Sequence, residues 1–169
     1  MATLEELPTA NGAEDGVRRR DFINIAAVSF AGVGAVMRLG ACFGVPVDLI
    51  EPMGFAWDDK RVRRTAMDYI DHVDVTRHAG FDAFIATLGG ARLVLMTTKA
   101  SEGLYDFAFR GDDVLLFGQE SAGVPLQVAT AAAAAVKIPL RPQVRSFNLA
   151  TSAAIALGEA LRQTRSFPQ

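Results

Sequence analysis

Leu115-Leu116-Phe117-Gly118-Gln119-Glu120-Ser121-Ala122-Gly123-Val124-Pro125 decides how this chain folds. An apolar run stops abruptly at a glycine, and the small and polar residues after it offer free backbone groups. Parallel α/β sheets build ligand sites in this way, beyond the carboxyl ends of their strands. A second ending of the same kind follows at Ile138-Pro139-Leu140, leading into Arg145-Ser146-Phe147-Asn148-Leu149. Two strand ends of this type imply one shared pocket.

Outward from that stretch, strands and helices alternate. Phe22–Val28, Val45–Ile50, Asp74–Arg77, Leu93–Thr98, Val114–Phe117 and Val136–Leu140 read as strands. Gly34–Phe43 reads as a helix closed by Gly44, and Gly80–Leu88 as a short one. Asp58-Asp59 suit the first turn of a helix that carries a basic run to Tyr69. Pro125–Ala135 is an alanine-rich helix, and Asn148–Gln163 closes the chain with a long one. The class is therefore α/β with a mainly parallel sheet and helices on both faces. Residues 1–20 carry few large apolar groups and read as a flexible tail, which leaves 21–169 as a single domain.

Composition narrows the function. With 169 residues, half of them hydrophobic, the chain fills one core. The single Cys42, read as a core residue, and two histidines exclude a disulfide and a cysteine-rich metal site, so a metal-free, cytoplasmic protein is expected. Nothing at the N-terminus reads as a secretory leader, and the apolar stretch Phe22–Met37 is shorter than the roughly 20 residues of a membrane span. A net charge of -2 gives no global pull on nucleic acid, although Lys60-Arg61-Val62-Arg63-Arg64 is a local cluster.

Several chemistries fall away. Gly32-Val33-Gly34 is an incomplete dinucleotide fingerprint, and no Gly-Lys-Ser or Gly-Lys-Thr marks a phosphate loop. His72 and His78 lie in polar stretches expected at the surface, which gives a nucleophilic triad little support. What remains is a pocket of backbone and small polar groups with arginines nearby. Such a pocket suits S-adenosylmethionine, whose sulfonium activates its methyl group without a metal. The protein then chiefly positions the acceptor.

Phe117–Pro125, Ile138-Pro139-Leu140, Arg145–Leu149 and Glu159-Ala160-Leu161-Arg162-Gln163 together resemble the second and third motifs of the SPOUT-class RNA 2'-O-ribose methyltransferases, in their SpoU/TrmH branch. Leu49-Ile50-Glu51-Pro52-Met53-Gly54-Phe55, Asp59–Arg64 and Asp68-Tyr69 are similar to the small tRNA wobble-position (cytidine/uridine) enzymes of that class. The resemblance runs from Phe22 to Arg165. It implies a C-terminal trefoil knot, a homodimer with both cofactor pockets against the subunit interface, and methyl transfer from S-adenosylmethionine to a tRNA ribose.

By the same resemblance, Met96, Gly118, Ile138 and Ser146 contact the cofactor, with Thr97, Leu140 and Leu149 beside them and Glu120 fixing the loop. Arg38 falls at the arginine next to the target hydroxyl, with Ser146 and Asn148 completing the catalytic set. A guanidinium has five donors and no acceptor, so orienting the hydroxyl and stabilising alkoxide charge is the role its chemistry favours. Lys60, Arg61, Arg64 and Arg145 are expected to hold RNA phosphates. This chain has Gly32-Val33-Gly34 where the family usually has Asn-Thr-Gly, and Ala122 where an arginine is common. Two alternatives stay open: the same chemistry on ribosomal RNA, and a knotted RNA-binding protein without turnover.

Overall fold

A computed structural model describes residues 24–27, 32–52, 67–119 and 123–169. In chain order these form strand β1 (Asn24–Ala27), helix α1 (Val33–Phe43), β2 (Val47–Ile50), a 3-10 helix (Met67–His72), β3 (Val75–His78), α2 (Phe81–Ala86), β4 (Leu93–Met96), β5 (Glu102–Gly103), β6 (Val114–Phe117), α3 (Leu126–Ala131), β7 (Ala134–Lys137) and α4 (Leu149–Thr164). All pairings between these strands are parallel, in the order β3-β2-β1-β6-β4-β7-β5.

All four residues of β2, β4 and β6 are buried, as expected of strands covered on both faces. Alternate side chains divide between two cores. Val94, Met96, Leu115 and Phe117 pack with Val36 and Met37 of α1 and Ala153 and Leu157 of α4. Leu93, Leu95, Val114 and Leu116 pack with Phe84 of α2 and Val128 of α3 on the opposite face. The period-2 geometry of a strand produces this division, because successive side chains leave the sheet on opposite sides.

The step between the central strands is set at their entry edge. The Arg92 guanidinium, just before β4, donates through Nε to Asp113 Oδ1 at 2.6 Å and through Nη2 to Oδ2 at 2.7 Å. Asp113, just before β6, is fully buried and also accepts from the Arg110 amide at 2.8 Å. A bidentate pair of this kind fixes angle as well as distance. It lies one residue before the Leu93–Val114 pairing, so both strands start level and their far ends come out level.

Several boundaries differ from the sequence reading. The alanine-rich helix ends at Ala131, and the strand expected at Val136–Leu140 runs instead over Ala134–Lys137. Ala134, Ala135 and Val136 pair with Val94, Leu95 and Met96, and Val136 is fully buried. Pairing of that segment and burial of Val136 override the helical preference of alanine. The two-residue edge strand β5 has no periodicity from which it could be read. Residues 58–66 of the expected basic helix lie outside the described residues, and the stretch from Met67 is a 3-10 helix. Cys42, expected in the core, is exposed on α1.

His78 also departs from its expected exposure. It is buried, with Nε2 2.7 Å from Asp48 Oδ1 and its ring edge-on to Phe84 at 5.3 Å between centroids. The β2–β3 register sets Ile50 opposite His78, so the histidine belongs to the face covered by α2.

Candidate active site

Met96 is in register with Phe117 on one side and Val136 on the other. Thr97, Gly118 and the Lys137–Ile138 step therefore emerge side by side from three adjacent strands, with neighbours about 4.8 Å apart. The Thr97 amide donates to the Val136 carbonyl at 2.9 Å, which extends the ladder one residue past the end of β4. The Met96 side chain is buried in the α1–α4 core, so backbone is what it offers to a ligand. Ile138 is half-buried against that same core, which contains Leu149.

Gly118 is required by space. A Cβ there would lie 2.5 Å from the Gly123 carbonyl carbon, 2.7 Å from its oxygen and 2.8 Å from Val124 Cγ1. The close approach is held by a two-way backbone pair: the Gln119 amide donates to Gly123 O at 2.9 Å and the Gly123 amide to Gln119 O at 2.7 Å. Gly123 turns the chain with φ of 69°, a left-handed value that favours glycine. The result is a narrow backbone cradle immediately past β6.

At its start α4 is capped as expected: Asn148 Oδ1 accepts from the Thr151 amide at 2.8 Å. Gly32, before α1, has φ of 98°, and a Cβ there would lie 3.5 Å from the Ala150 amide nitrogen. The beginnings of α1 and α4 thus abut. Arg38 stands six residues further along α1, about 9 Å along the axis. It is exposed, and its guanidinium carbon lies 4.3 Å from the centroid of the Tyr69 ring. Tyr69 beside it raises its pKa further above the ordinary arginine value, so it is cationic at any working pH.

Of the expected cofactor residues, the structure brings together Met96, Thr97, Gly118, Ile138 and Leu149. Leu140 is half-buried and Ser146 exposed in the stretch between β7 and α4. Arg145 is exposed there too, while Glu120, Lys60, Arg61 and Arg64 lie outside the described residues. Sequence reasoning gave Tyr69 no role; its one signal was membership of the Asp68-Tyr69 pair. A cavity of about 550 Å³ on the α2–α3 side was also missed; Ile50, Phe81, Gln119, Val124 and Gln127 are among its walls. It is made of residues distant in sequence, and Met96, Ile138 and Ser146 take no part in it. Among the described residues no group of three or more His, Cys, Asp or Glu is placed to hold a metal ion.

Residues 30–158 match the model of the SpoU rRNA Methylase family. A second, short match, over residues 9–39, is to the TAT signal of the Ubiquitinol-cytochrome C reductase Fe-S subunit, too small a part of the chain to show a family. The tRNA (cytidine(34)-2'-O)-methyltransferase of Beijerinckia indica is 54% identical over 132 residues, 77% of this chain and 82% of that protein. A solved structure described as giving structural insights into the 2-OH methylation of C/U34 on tRNA superposes with a TM-score of 0.78 at 36% identity, over 84% of this chain and 95% of that one. The AdoMet bound rRNA methyltransferase from Sinorhizobium meliloti superposes with a TM-score of 0.69 at 25% identity, over 83% of this chain and 55% of that one. With its family model spanning most of the sequence, the chain belongs to the SpoU rRNA methylase family.

Proposed function

We propose that this protein transfers a methyl group from S-adenosylmethionine to the ribose 2'-hydroxyl of the wobble nucleotide of a tRNA. The observation that carries the reading is the 54% identity to a tRNA (cytidine(34)-2'-O)-methyltransferase, in a chain whose strand ends at Thr97, Gly118 and Ile138 stand in step. The site suits the cofactor: level strand ends bring the backbone of three strands side by side where adenine and ribose would lie, and the cradle at Gly118 leaves no room for a side chain.

When bound, S-adenosylmethionine supplies a methyl carbon already activated by its sulfonium. Met96, Thr97, Gly118, Ile138 and Leu140 hold it through backbone, Leu149 closes the apolar side, and Ser146 and Glu120 contribute polar contacts. Arg38, a permanent cation, donates to the acceptor oxygen and stabilises the negative charge that grows there, while the hydroxyl proton passes to solvent. Asn148 uses its oxygen on the helix cap, which keeps its amide N–H groups for the acceptor. Lys60, Arg61, Arg64 and Arg145 bind phosphates.

Residues 21–169 act as one domain, and a homodimer covers exposed apolar groups near the C-terminal end such as Val144 (54% exposed) and Phe167 (45%). The trefoil knot belongs to the same reading. So does a cytoplasmic location. No helix among the described residues is long and apolar enough to cross a membrane.

The test is to incubate purified protein with unmodified tRNA and labelled cofactor, and to map the product by mass spectrometry. A single methylribose at the wobble position is expected; a methylated ribosomal RNA with unreacted tRNA would refute the substrate. Cofactor binding without transfer to either RNA would refute catalysis.

A further inference from the structure

The catalytic reading of Arg38 leaves open how an arginine on the exposed face of a helix is held still. Its side chain has four rotatable bonds and, on α1 alone, nothing to fix them. The 3-10 helix Met67–His72 lies against α1, and from it the half-buried Tyr69 ring meets the guanidinium at 4.3 Å from carbon to centroid. At that distance the cation is attracted to the π face of the ring. A contact of this type leaves most of the five N–H donors for a ribose oxygen.

We propose that Tyr69 is the positioning residue of the active site: its ring seats the Arg38 guanidinium so that the remaining donors meet the acceptor 2'-hydroxyl. The proposal rests on the reading of Arg38 given above. Two independent features support it. The two groups come from separate elements that pack on each other, so their meeting is tertiary rather than a helix-face coincidence. The guanidinium also stays charged there, the form that stabilises an alkoxide and cannot act as a base. Tyr69 touches neither cofactor nor acceptor in this scheme, so its loss should slow the chemical step and leave binding unchanged.

Four proteins test this: Tyr69→Phe, Tyr69→Leu, Arg38→Ala and the double variant Arg38→Ala/Tyr69→Leu, with kcat, KM for tRNA and cofactor Kd measured for each. Tyr69→Phe keeps the ring and is expected within about twofold of the native kcat. Tyr69→Leu removes the π face and is expected to lower kcat about tenfold, with KM and Kd unchanged, because misplacing a reacting group costs rate rather than affinity. The double variant should be no slower than Arg38→Ala alone. If the leucine variant fails to fold, Tyr69→Met fills the same space without a π face. Native kcat in Tyr69→Leu or Tyr69→Met, or losses that multiply in the double variant, overturns the proposal. A slow Arg38→Ala beside an unaffected Tyr69→Leu refutes the seat alone, whereas a fast Arg38→Ala refutes the assignment of Arg38 itself.

Discussion

Replacing Gly118 by alanine tests the cradle at its tightest point. The added methyl would sit 2.5 Å from the Gly123 carbonyl carbon and 2.7 Å from its oxygen. Comfortable carbon contacts begin near 3.5 Å, so the loop has to open by about 1 Å. Neither partner atom is the end of a flexible side chain. Overpacking of this kind costs about 1–3 kcal/mol. Opening also stretches the two hydrogen bonds between Gln119 and Gly123, each contributing about 1 kcal/mol. The sum is a loss of about 3–5 kcal/mol, or a Tm lower by about 6–20 °C for a domain of this size. A cradle opened by that distance also loses a backbone hydrogen bond to the bound nucleoside, so the cofactor Kd should rise about fivefold to tenfold. Scanning calorimetry and titration calorimetry read the two effects separately. Gly158→Ala in α4 is the control, since nothing lies within 4 Å of its added Cβ and it should gain stability from helix propensity. A Gly118→Ala protein with native Tm and native Kd would refute the cradle.

Other expectations follow from single contacts. Glu159 is held down to about 2 from 4.5, first by the Arg162 hydrogen bonds at 2.7 and 2.8 Å and then by Gln163, against the opposing effect of burial. A lowered carboxylate stabilises the fold fully above its unfolded pKa and loses that effect as the pH falls through the folded one. Because Arg162 is two-thirds exposed, the contribution is about 1–2 kcal/mol rather than the full shift. Urea titrations should show Glu159→Gln less stable than the native chain at pH 7, with the gap closing between pH 4.5 and 2. His78→Ala removes the 2.7 Å contact with buried Asp48 and the edge-on packing against Phe84, and should cost about 1.5–3 kcal/mol by denaturant unfolding. Asn148→Ala removes the α4 cap and should cost about 0.5–2 kcal/mol in the same assay, while Asn148→Ser keeps most of it.

The central strands were legible because their composition and their environment agree. Val114–Phe117 and Leu93–Met96 are unbroken apolar runs buried on both faces; the first ends as read, whereas the strand read as Leu93–Thr98 ends two residues earlier, at Met96. Gly118 and Asn148 were legible for a related reason, since a glycine at a strand end and an asparagine before a helix each have a local geometric use. The boundary between α3 and β7 was not, because alanine favours helix in isolation and only Val94, Leu95 and Met96 across the sheet draw Ala134–Val136 into a strand. His78 looked like a surface residue because its neighbours are polar, while its partner Asp48 lies 30 positions away. Tyr69 and the cavity on the α2–α3 side depend on such distant meetings too, and no window of sequence contains them.

The Arg92–Asp113 pair has a bearing on affinity that its position conceals. It sits at the opposite edge of the sheet from the loops proposed to hold the cofactor, four strand residues or about 13 Å away. Since β4 and β6 are stiff and paired along their length, a slip allowed at one end is delivered nearly whole to the other. With the cofactor held where we propose, its affinity can be tuned by residues at the rear of the sheet that never approach it.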